Sequence, residues 1–293
     1  MPGSLRFDVP SVLDFFALLV AEDASLSLVE AAVSIAQDDD PQLDVQAVLA
    51  EIDALAARLE RRVPADAVPL HRLRVLNRFF FQELGFAGNV NHYHDPRNSY
   101  LHEVLRSRRG IPITLAVLYI ELAQQIGLDA HGVSFPGHFL VKLHLNQGQR
   151  QGEVLIDPFT GRSLSRDELS EMLLPYRRSH SLLAEDEVPL GLFLQSASAR
   201  EVIARMLRNL KEVHRRDEAW ASMLAVQRRL VVLLPRDWEE RRDRGLIYAE
   251  LGCVSEAADD LSAYLEHRPG ADDHHALAEQ LAGLRRARRS RRH

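Results

Sequence analysis

The stretch RGIPITLAVLYIELAQQIGL, residues 109–128, decides the fold. Apolar residues dominate it, so it predicts a buried helix over 112–126. Pro112 suits the first turn, where a backbone N–H would have no partner, and Gly127 suits the position just beyond the last turn. We therefore expect one long helix inside a packed core.

Three short segments follow this helix, at 131–135, 138–145 and 152–157, and their pattern is different. They are rich in Val, Leu and Ile, and turn formers such as Pro136-Gly137 separate them. These features are typical of strands joined by tight turns. Consecutive strands after a single long helix predict an α+β core with a short antiparallel sheet.

Residues 11–84, before this core, predict an all-helical N-terminal domain, which we place at 1–85. Ser11 stands three residues before Asp14 at the start of the first helix, a spacing typical of a capping arrangement.

The segment 86–111 is dense in glycine, asparagine, aspartate and proline, which predicts irregular structure. Within it, we expect Asn98 or Ser99 to cap a short helix over 100–107.

After the strands, residues 163–175 predict a helix that Ser165 caps, which completes a core domain at 86–180. The polar stretch 176–190 predicts a linker, and from residue 196 onward the chain predicts pairs of helices.

The C-terminal region, 190–293, has the spacing of a tetratricopeptide repeat. Pro235 and Pro269 stand 34 residues apart, which is the period of that repeat. An earlier unit over 199–233 fits more loosely, and a helix over 272–288 suits a terminal cap. Because repeat arrays usually need about three units for stability, we expect this section to be stabilised by packing against other parts of the protein or against that cap.

Composition and charge exclude several classes of protein. The net charge of −6 gives no overall attraction to nucleic acid, and the single cysteine, Cys253, rules out a disulfide within the chain. No apolar run is long enough to span a bilayer and no signal peptide is recognisable, so we expect a cytoplasmic protein without membrane contact. The arginine-rich tail Arg285–Arg292 suggests weak contact with a polyanion, but no aromatic residues interleave it to stack on bases.

One candidate for chemistry is a histidine–aspartate pair. His138 and Asp157 are 19 residues apart across a predicted hairpin, so their side chains can meet on one face. The order of helix start, histidine and aspartate is similar to that of papain-like enzymes, in which a cysteine at a helix N-terminus is the nucleophile, the histidine is the base and the acid orients it.

Four segments around this pair carry a family pattern: DPRNS (95–99), RGIPITL (109–115), FPGHFLV (135–141) and IDPFTG (156–161). They resemble the bacterial transglutaminase-like proteins that also carry C-terminal tetratricopeptide repeats, often labelled Sir-B-type invasion regulators. The resemblance implies a transglutaminase-like core fold, and the family label implies a regulatory role. It implies cleft or motif positions at Asn98, Arg109, Gly110, Pro112, Tyr119, Gly137 and Phe139.

The nucleophile position departs from that of active transglutaminases, which read Gly-x-Cys at the helix start. Gly110 matches the glycine, and Pro112 falls on the cysteine. Thr114 is the only hydroxyl near the helix start, but it lies on a different stripe of the helix from Pro112. It is therefore a weak candidate for the nucleophile and a plausible first-turn polar residue.

Two functions stay open at this point. The leading one is a non-catalytic protein that binds a protein or peptide partner through a degenerate cleft and through the repeats. The alternative is a papain-like hydrolase or acyltransferase that uses His138 and Asp157, with water or Thr114 as the attacking group. A purely structural His138–Asp157 pair is also consistent with the sequence, since a buried carboxylate needs a partner.

A metal site is the remaining possibility. His92, His94, Asp95 and His102 carry the right ligand types, but their spacing matches no zinc pattern. Gly-rich phosphate loops, HExxH and CxxC are absent from the sequence, and we therefore expect no metal and no cofactor.

Overall fold

The computed structural model describes residues 10–146, 152–179 and 188–290. Residues 147–150 of the predicted hairpin turn, 180–187 of the predicted linker and Arg291–Arg292 of the basic tail lie outside these residues.

The described residues form helices and two small sheets. The α-helices, in chain order, are α1 (Val12–Leu19), α2 (Leu28–Ser34), α3 (Val45–Glu60), α4 (Pro69–Asn77), α5 (Leu101–Ser107), α6 (Pro112–Gln125), α7 (Arg166–Ser179), α8 (Ala199–Arg216), α9 (Trp220–Leu233), α10 (Trp238–Glu250), α11 (Val254–His267) and α12 (His274–Ser290). The strands are β1 (Ala87–Gly88), β2 (Arg109–Gly110), β3 (Asp129–Val133), β4 (Leu140–His144), β5 (Glu153–Asp157) and β6 (Arg162–Leu164). A π-helix covers Arg78–Glu83, and 3₁₀ turns cover Ile35–Asp38, Pro96–Ser99 and Leu190–Leu194.

The chain divides into two compact units. The first comprises residues 1–26, 37–41 and 207–293, and the second comprises 27–36 and 42–206. Most of the helical segment 11–84 therefore clusters with the core. The domain boundaries 1–85, 86–180 and 190–293 stay a prediction, namely that each of these three segments would fold on its own.

The second unit contains both sheets. β3, β4, β5 and β6 form an antiparallel meander in that order, and β1 pairs in parallel with β2. Val141 of β4 lies opposite Ile156 of β5, and Asp157 lies opposite Arg162 of β6. The predicted antiparallel sheet is therefore confirmed, with one strand more than the sequence indicated.

Helix α6 is the centre of this unit, as predicted. Every residue from Pro112 to Ile120 is buried, and Pro112 begins the helix. Thr114 fixes the first turn by accepting a hydrogen bond from the backbone N–H of Ile111 at 3.2 Å. Gly127 has a φ of +75°, a conformation that glycine adopts without steric cost, so the chain can turn away there.

Two predicted helix starts need correction. Tyr100, with no capping side-chain hydrogen bond, precedes α5, whereas Asp95 caps the preceding 3₁₀ turn by accepting from the Arg97 N–H at 3.0 Å. The Asn98 side chain is instead bound to the backbone carbonyls of His92 and Tyr93. Its amide therefore organises the loop rather than the helix.

The second correction concerns α7. It begins at Arg166 rather than at 163, because residues 162–164 pair with β5 as β6. The predicted cap is confirmed, since Ser165 and Glu168 bond each other's backbone N–H groups at 3.2 and 2.8 Å. The capping arrangement of Ser11 and Asp14 is confirmed in the same way at the start of α1.

The first unit contains the paired helices of the repeat region. α9 ends at Leu233 just before Pro235, and α11 ends at His267 just before Pro269, so the prolines mark the unit ends as expected. α10 and α11 approach closely at Gly245, where an added Cβ would lie 3.0 Å from Leu261. Within the described residues, none of the helices combines the length and apolar character that crossing a bilayer requires.

Candidate functional site

The predicted pair is formed. His138 Nε2 lies 2.9 Å from Asp157 Oδ1. Asp157 is the last residue of β5, and His138 precedes β4 by two residues instead of belonging to the strand. A tight turn holds the histidine, since its backbone N–H donates to the Phe135 carbonyl at 3.0 Å, and Gly137 in that turn has a φ of +72°.

Three donors hold the Asp157 carboxylate. Besides His138, the Phe159 N–H donates to Oδ1 at 2.9 Å and the Thr160 hydroxyl donates to Oδ2 at 2.7 Å. Burial raises the pKa of Asp157, but the hydrogen bonds from His138, Thr160 and Phe159 together outweigh it, so the pKa lies below its ordinary value. The carboxylate is therefore an ionised acceptor that orients the imidazole.

The second ring nitrogen of His138 is differently placed. The side chain keeps 22 % of its exposure, and within the described part of the chain no group hydrogen-bonds Nδ1. When Nε2–H donates to Asp157, Nδ1 is left to accept from or donate to a ligand. Chemically, the pair can act as an oriented base or as a binding group.

The start of α6 is where a nucleophile would have to stand. Pro112 is buried there and carries no reactive atom. The Thr114 hydroxyl is fully buried and lies 2.8 Å from the Asn98 carbonyl, to which it donates, while it accepts from the Ile111 N–H. The structure thus brings Asn98 and Thr114 together at the helix start, in a contact that ties the 3₁₀ turn to α6.

The other predicted cleft residues are structural contacts in this unit. Tyr119 is fully buried, and its hydroxyl donates to Asn77 Oδ1 at 2.6 Å. Phe139 is 3 % exposed and packs against Gly132, where an added Cβ would lie 2.7 Å from the ring. Both side chains belong to the core and are closed to a ligand in this arrangement.

Arg109 and Gly110 brace the loop between α5 and α6. The Arg109 guanidinium donates to the Gly85 carbonyl at 2.7 Å. Gly110 accepts from the Asn89 N–H at 3.0 Å, and an added Cβ would lie 2.8 Å from Thr114 Oγ1. The glycine therefore allows the threonine to approach the backbone.

Three residues that contact the loops around the pair, or one another there, carry no functional assignment from the sequence: Tyr93, Phe159 and Arg205. The Tyr93 ring lies 6.0 Å from the Phe159 ring, and Arg205 Nη1 donates to Ser134 Oγ at 3.4 Å. Phe159 belongs to the motif IDPFTG and was thus within reach of sequence reasoning. Arg205 lies 71 residues from Ser134 in the chain, and no local pattern points to it.

The histidine-rich segment 92–95 does not build a metal centre. Within the ranges that the structure describes, no three histidine, cysteine, aspartate or glutamate side chains are arranged to hold a metal ion. Asp95 instead binds the Arg97 guanidinium at 2.6 Å.

Comparison with known proteins gives the family. A model of the transglutaminase-like superfamily matches residues 46–208, more than half of the chain. The chain belongs to the transglutaminase-like superfamily. A tetratricopeptide-repeat model matches residues 210–282 of this transglutaminase-like protein, which confirms the repeats.

Curated relatives of this transglutaminase-like protein match nearly its whole length. A UPF0162 protein of Xylella fastidiosa is 36 % identical over 268 residues, which are 91 % of this chain and 93 % of the relative. A UPF0162 protein of Vibrio cholerae is 29 % identical over 260 residues, 89 % and 93 % of the two chains. UPF0162 protein YchA of Escherichia coli is 30 % identical over 226 residues, 76 % and 80 % of the two chains. No solved structure matches the chain significantly.

Proposed function

We propose that this transglutaminase-like protein is non-catalytic and binds a protein or peptide partner, in a regulatory role, through the surface beside His138 and through its tetratricopeptide repeats. The observation that carries the proposal is Pro112 at the position where the family resemblance puts the nucleophile. A buried proline in the first turn of α6 has no atom that can attack an acyl carbon.

Neither Thr114 nor Cys253 supplies that group well. Thr114 is fully buried, and its hydroxyl is bonded to Asn98 and Ile111. Cys253, the single cysteine, stands before α11 in the other unit. These placements support binding over acyl transfer.

The repeats supply the second binding surface of the proposal. Tetratricopeptide repeats generally mediate protein–protein interaction, and stacked helix pairs present extended surfaces for partners. Here α8 and α10 are joined by charged side chains, with Arg208 to Glu240 at 2.8 Å and Lys211 to Asp243 at 2.9 Å. A partner on this face would meet the partly exposed side chains of Arg208, Lys211 and Asp243, while Glu240 is buried beneath them.

A papain-like hydrolase or acyltransferase is the second candidate, because His138 is oriented by Asp157 and keeps Nδ1 open. Activity assays separate the two. The protein would be offered p-nitrophenyl acetate, and separately casein with an amine acceptor, beside the variant His138→Ala. We expect no turnover above that of the variant. Turnover that His138→Ala abolishes while the melting temperature stays unchanged would establish the enzyme instead.

Partner binding needs its own experiment. Full-length protein, with and without the double change Arg208→Ala/Lys211→Ala, would be used to co-purify partners from the native organism, with Arg216→Ala on the same helix as the matched control. We expect the double variant alone to lose a partner while its melting temperature shows that it is folded. An identical partner set for all three proteins would remove the repeat surface from the proposal.

A further inference from the structure

The surroundings of His138 contain a cation that the family motifs do not include. Arg205 in α8 reaches the loop between β3 and β4, where its Nη1 donates to Ser134 Oγ at 3.4 Å. The same loop turns at Phe135 and holds His138. Arg205 therefore brings a permanent positive charge to the segment that carries the open imidazole nitrogen.

An exposed apolar rim lies next to Asp157 of the pair. Tyr93 is 44 % exposed, and its ring lies 6.0 Å from the ring of Phe159. Phe159 is fixed beside the pair, since its N–H donates to Asp157. Val90, in the same loop as Tyr93, is 75 % exposed, so this rim can cover an apolar group of a ligand.

The cation and the rim are neighbours. Burial raises the pKa of the Tyr93 hydroxyl, and the positive charge of Arg205 acts against that rise. The guanidinium is thus close enough to influence the phenol. Tyr93, Phe159 and Arg205 belong to the same compact unit as the pair. Phe159 contacts Asp157, Tyr93 contacts Phe159, and Arg205 contacts the loop that holds His138.

We propose that the exposed edge of the His138–Asp157 pair binds a carboxylate of a peptide. The Arg205 guanidinium donates to the carboxylate, and His138 adds an Nδ1–H donor when both of its ring nitrogens carry protons. Tyr93 and Phe159 cover the adjacent apolar side chain. The inference rests on the proposed function and names the chemistry of its ligand. A guanidinium fork matches a planar carboxylate, and hydrogen bonds between ionised groups are stronger than neutral ones.

The ionised Asp157 decides between a carboxylate and a phosphate. It lies 2.9 Å from His138 Nε2, so any anion at Nδ1 sits one imidazole ring away from a negative charge. A phosphate group near neutral pH carries about −1.5 to −2 charges and would be repelled more strongly than a single carboxylate. The carboxylate can come from the C-terminus of a chain or from an acidic side chain.

Three dipeptide probes test this inference on the full-length protein. N-acetyl-alanyl-phenylalanine carries a C-terminal carboxylate, N-acetyl-glutamyl-phenylalanine amide carries a side-chain carboxylate, and N-acetyl-alanyl-phenylalanine amide is neutral. Calorimetry or the imidazole NMR signal of His138 reports binding. We expect at least one acidic probe to bind about tenfold more tightly than the neutral one, as a charged hydrogen bond implies. The acidic probe that binds more tightly shows whether the site prefers a C-terminal or a side-chain carboxylate.

The variants assign the preference to its residue. Arg205→Gln should remove the preference for the acid, whereas Arg216→Gln, an exposed position on the same helix, should keep it. Tyr93→Ala should weaken all three probes and leave the ratio between them unchanged. This last variant lies in an exposed loop, so it keeps the test valid if Arg205→Gln fails to fold.

Equal binding of acid and amide by the unmodified protein would overturn the inference, as would a full acid preference in Arg205→Gln. Neither result depends on activity or on the repeats. If both acids fail to bind while a partner still co-purifies in the experiments above, the carboxylate site is wrong and the proposed function stands.

Discussion

One pair of ionisable side chains in each unit, Arg229–Asp38 and His138–Asp157, can be compared, and the two pairs differ in their access to solvent. In the first unit, Arg229 donates to both oxygens of Asp38, at 2.6 and 2.9 Å, and its side chain is 0 % exposed. In the second unit, His138 meets Asp157 through one nitrogen and keeps 22 % of its exposure.

The difference in exposure shows which of the two pairs is accessible to a ligand. The Arg229 guanidinium also lies 4.7 Å from the Phe16 ring, so it joins α9, α1 and the segment containing Asp38 inside one unit. A sealed pair of this kind can only stabilise the fold. His138 stands in a turn and keeps 22 % of its exposure, and within the described residues no group hydrogen-bonds its Nδ1. A contact of the same type therefore leaves a group for binding there.

The variant Arg229→Met is expected to have the largest effect on stability and tests this comparison first. The change leaves the partly buried Asp38 carboxylate without its partner, and we expect it to lower the free energy of unfolding by about 3–5 kcal/mol in urea denaturation. Arg228→Met, at the exposed neighbouring position, is the control and should cost less than about 1 kcal/mol.

A second variant separates charge burial from lost packing. Adding Asp38→Leu to Arg229→Met removes the unpaired carboxylate, so the double variant should recover part of the lost stability. A double variant that is less stable than Arg229→Met would show that packing around the arginine, rather than the pair, holds this region.

Asp157→Ala is expected to have a smaller effect. It removes the acceptor of three hydrogen bonds, from His138, Phe159 and Thr160, and we expect a cost of about 1–3 kcal/mol in the same assay. The cost stays below that of Arg229→Met because the partly exposed His138 can form a hydrogen bond with water instead. Asp53→Ala, exposed on α3, is the control, and a loss larger than that of Arg229→Met would reverse the comparison.

The two pairs also differ in what the sequence could predict. His138 and Asp157 were found because each stands in a recognisable motif and a hairpin joins them. Arg229 and Asp38 are 191 residues apart, and nothing in the spacing of either residue indicates the other. Motifs predict contacts made through local backbone geometry, whereas contacts made by distant packing have no local signal.

The same distinction between local and distant contacts decides which secondary-structure elements the sequence predicts. The start and end of α6 were predictable because Pro112 and Gly127 act on their own backbone. The short strand β6 was missed because its three residues have no pattern apart from their partner, β5. Asn98 was assigned to a helix cap for its residue type, but the loop carbonyls of His92 and Tyr93 compete for the same side chain.

Tyr119→Phe tests whether the interior beside α6 is as closed as that around Arg229. The change removes the hydroxyl that donates to Asn77 and should cost about 1 kcal/mol by urea denaturation. Tyr93→Phe, in the exposed loop, should change stability by less than about 0.5 kcal/mol. Equal effects would mean that the Tyr119 hydroxyl is accessible to water and that a cleft reaches it.

The smallest expected effect is the pH dependence that Asp157 contributes. Because its folded pKa is depressed, its stabilisation is complete above the pKa of an unfolded aspartate, about 3.9, and is lost as the pH falls through the folded value. The difference in unfolding free energy between the unmodified protein and Asp157→Asn should therefore be constant from pH 7 to 5 and shrink below pH 4. Asparagine keeps the shape and an acceptor oxygen, so the comparison isolates the charge. A difference that stays constant below pH 4 would mean that the pKa of Asp157 is the same in the folded and the unfolded protein. The hydrogen bonds from His138, Phe159 and Thr160 would then not favour the ionised carboxylate.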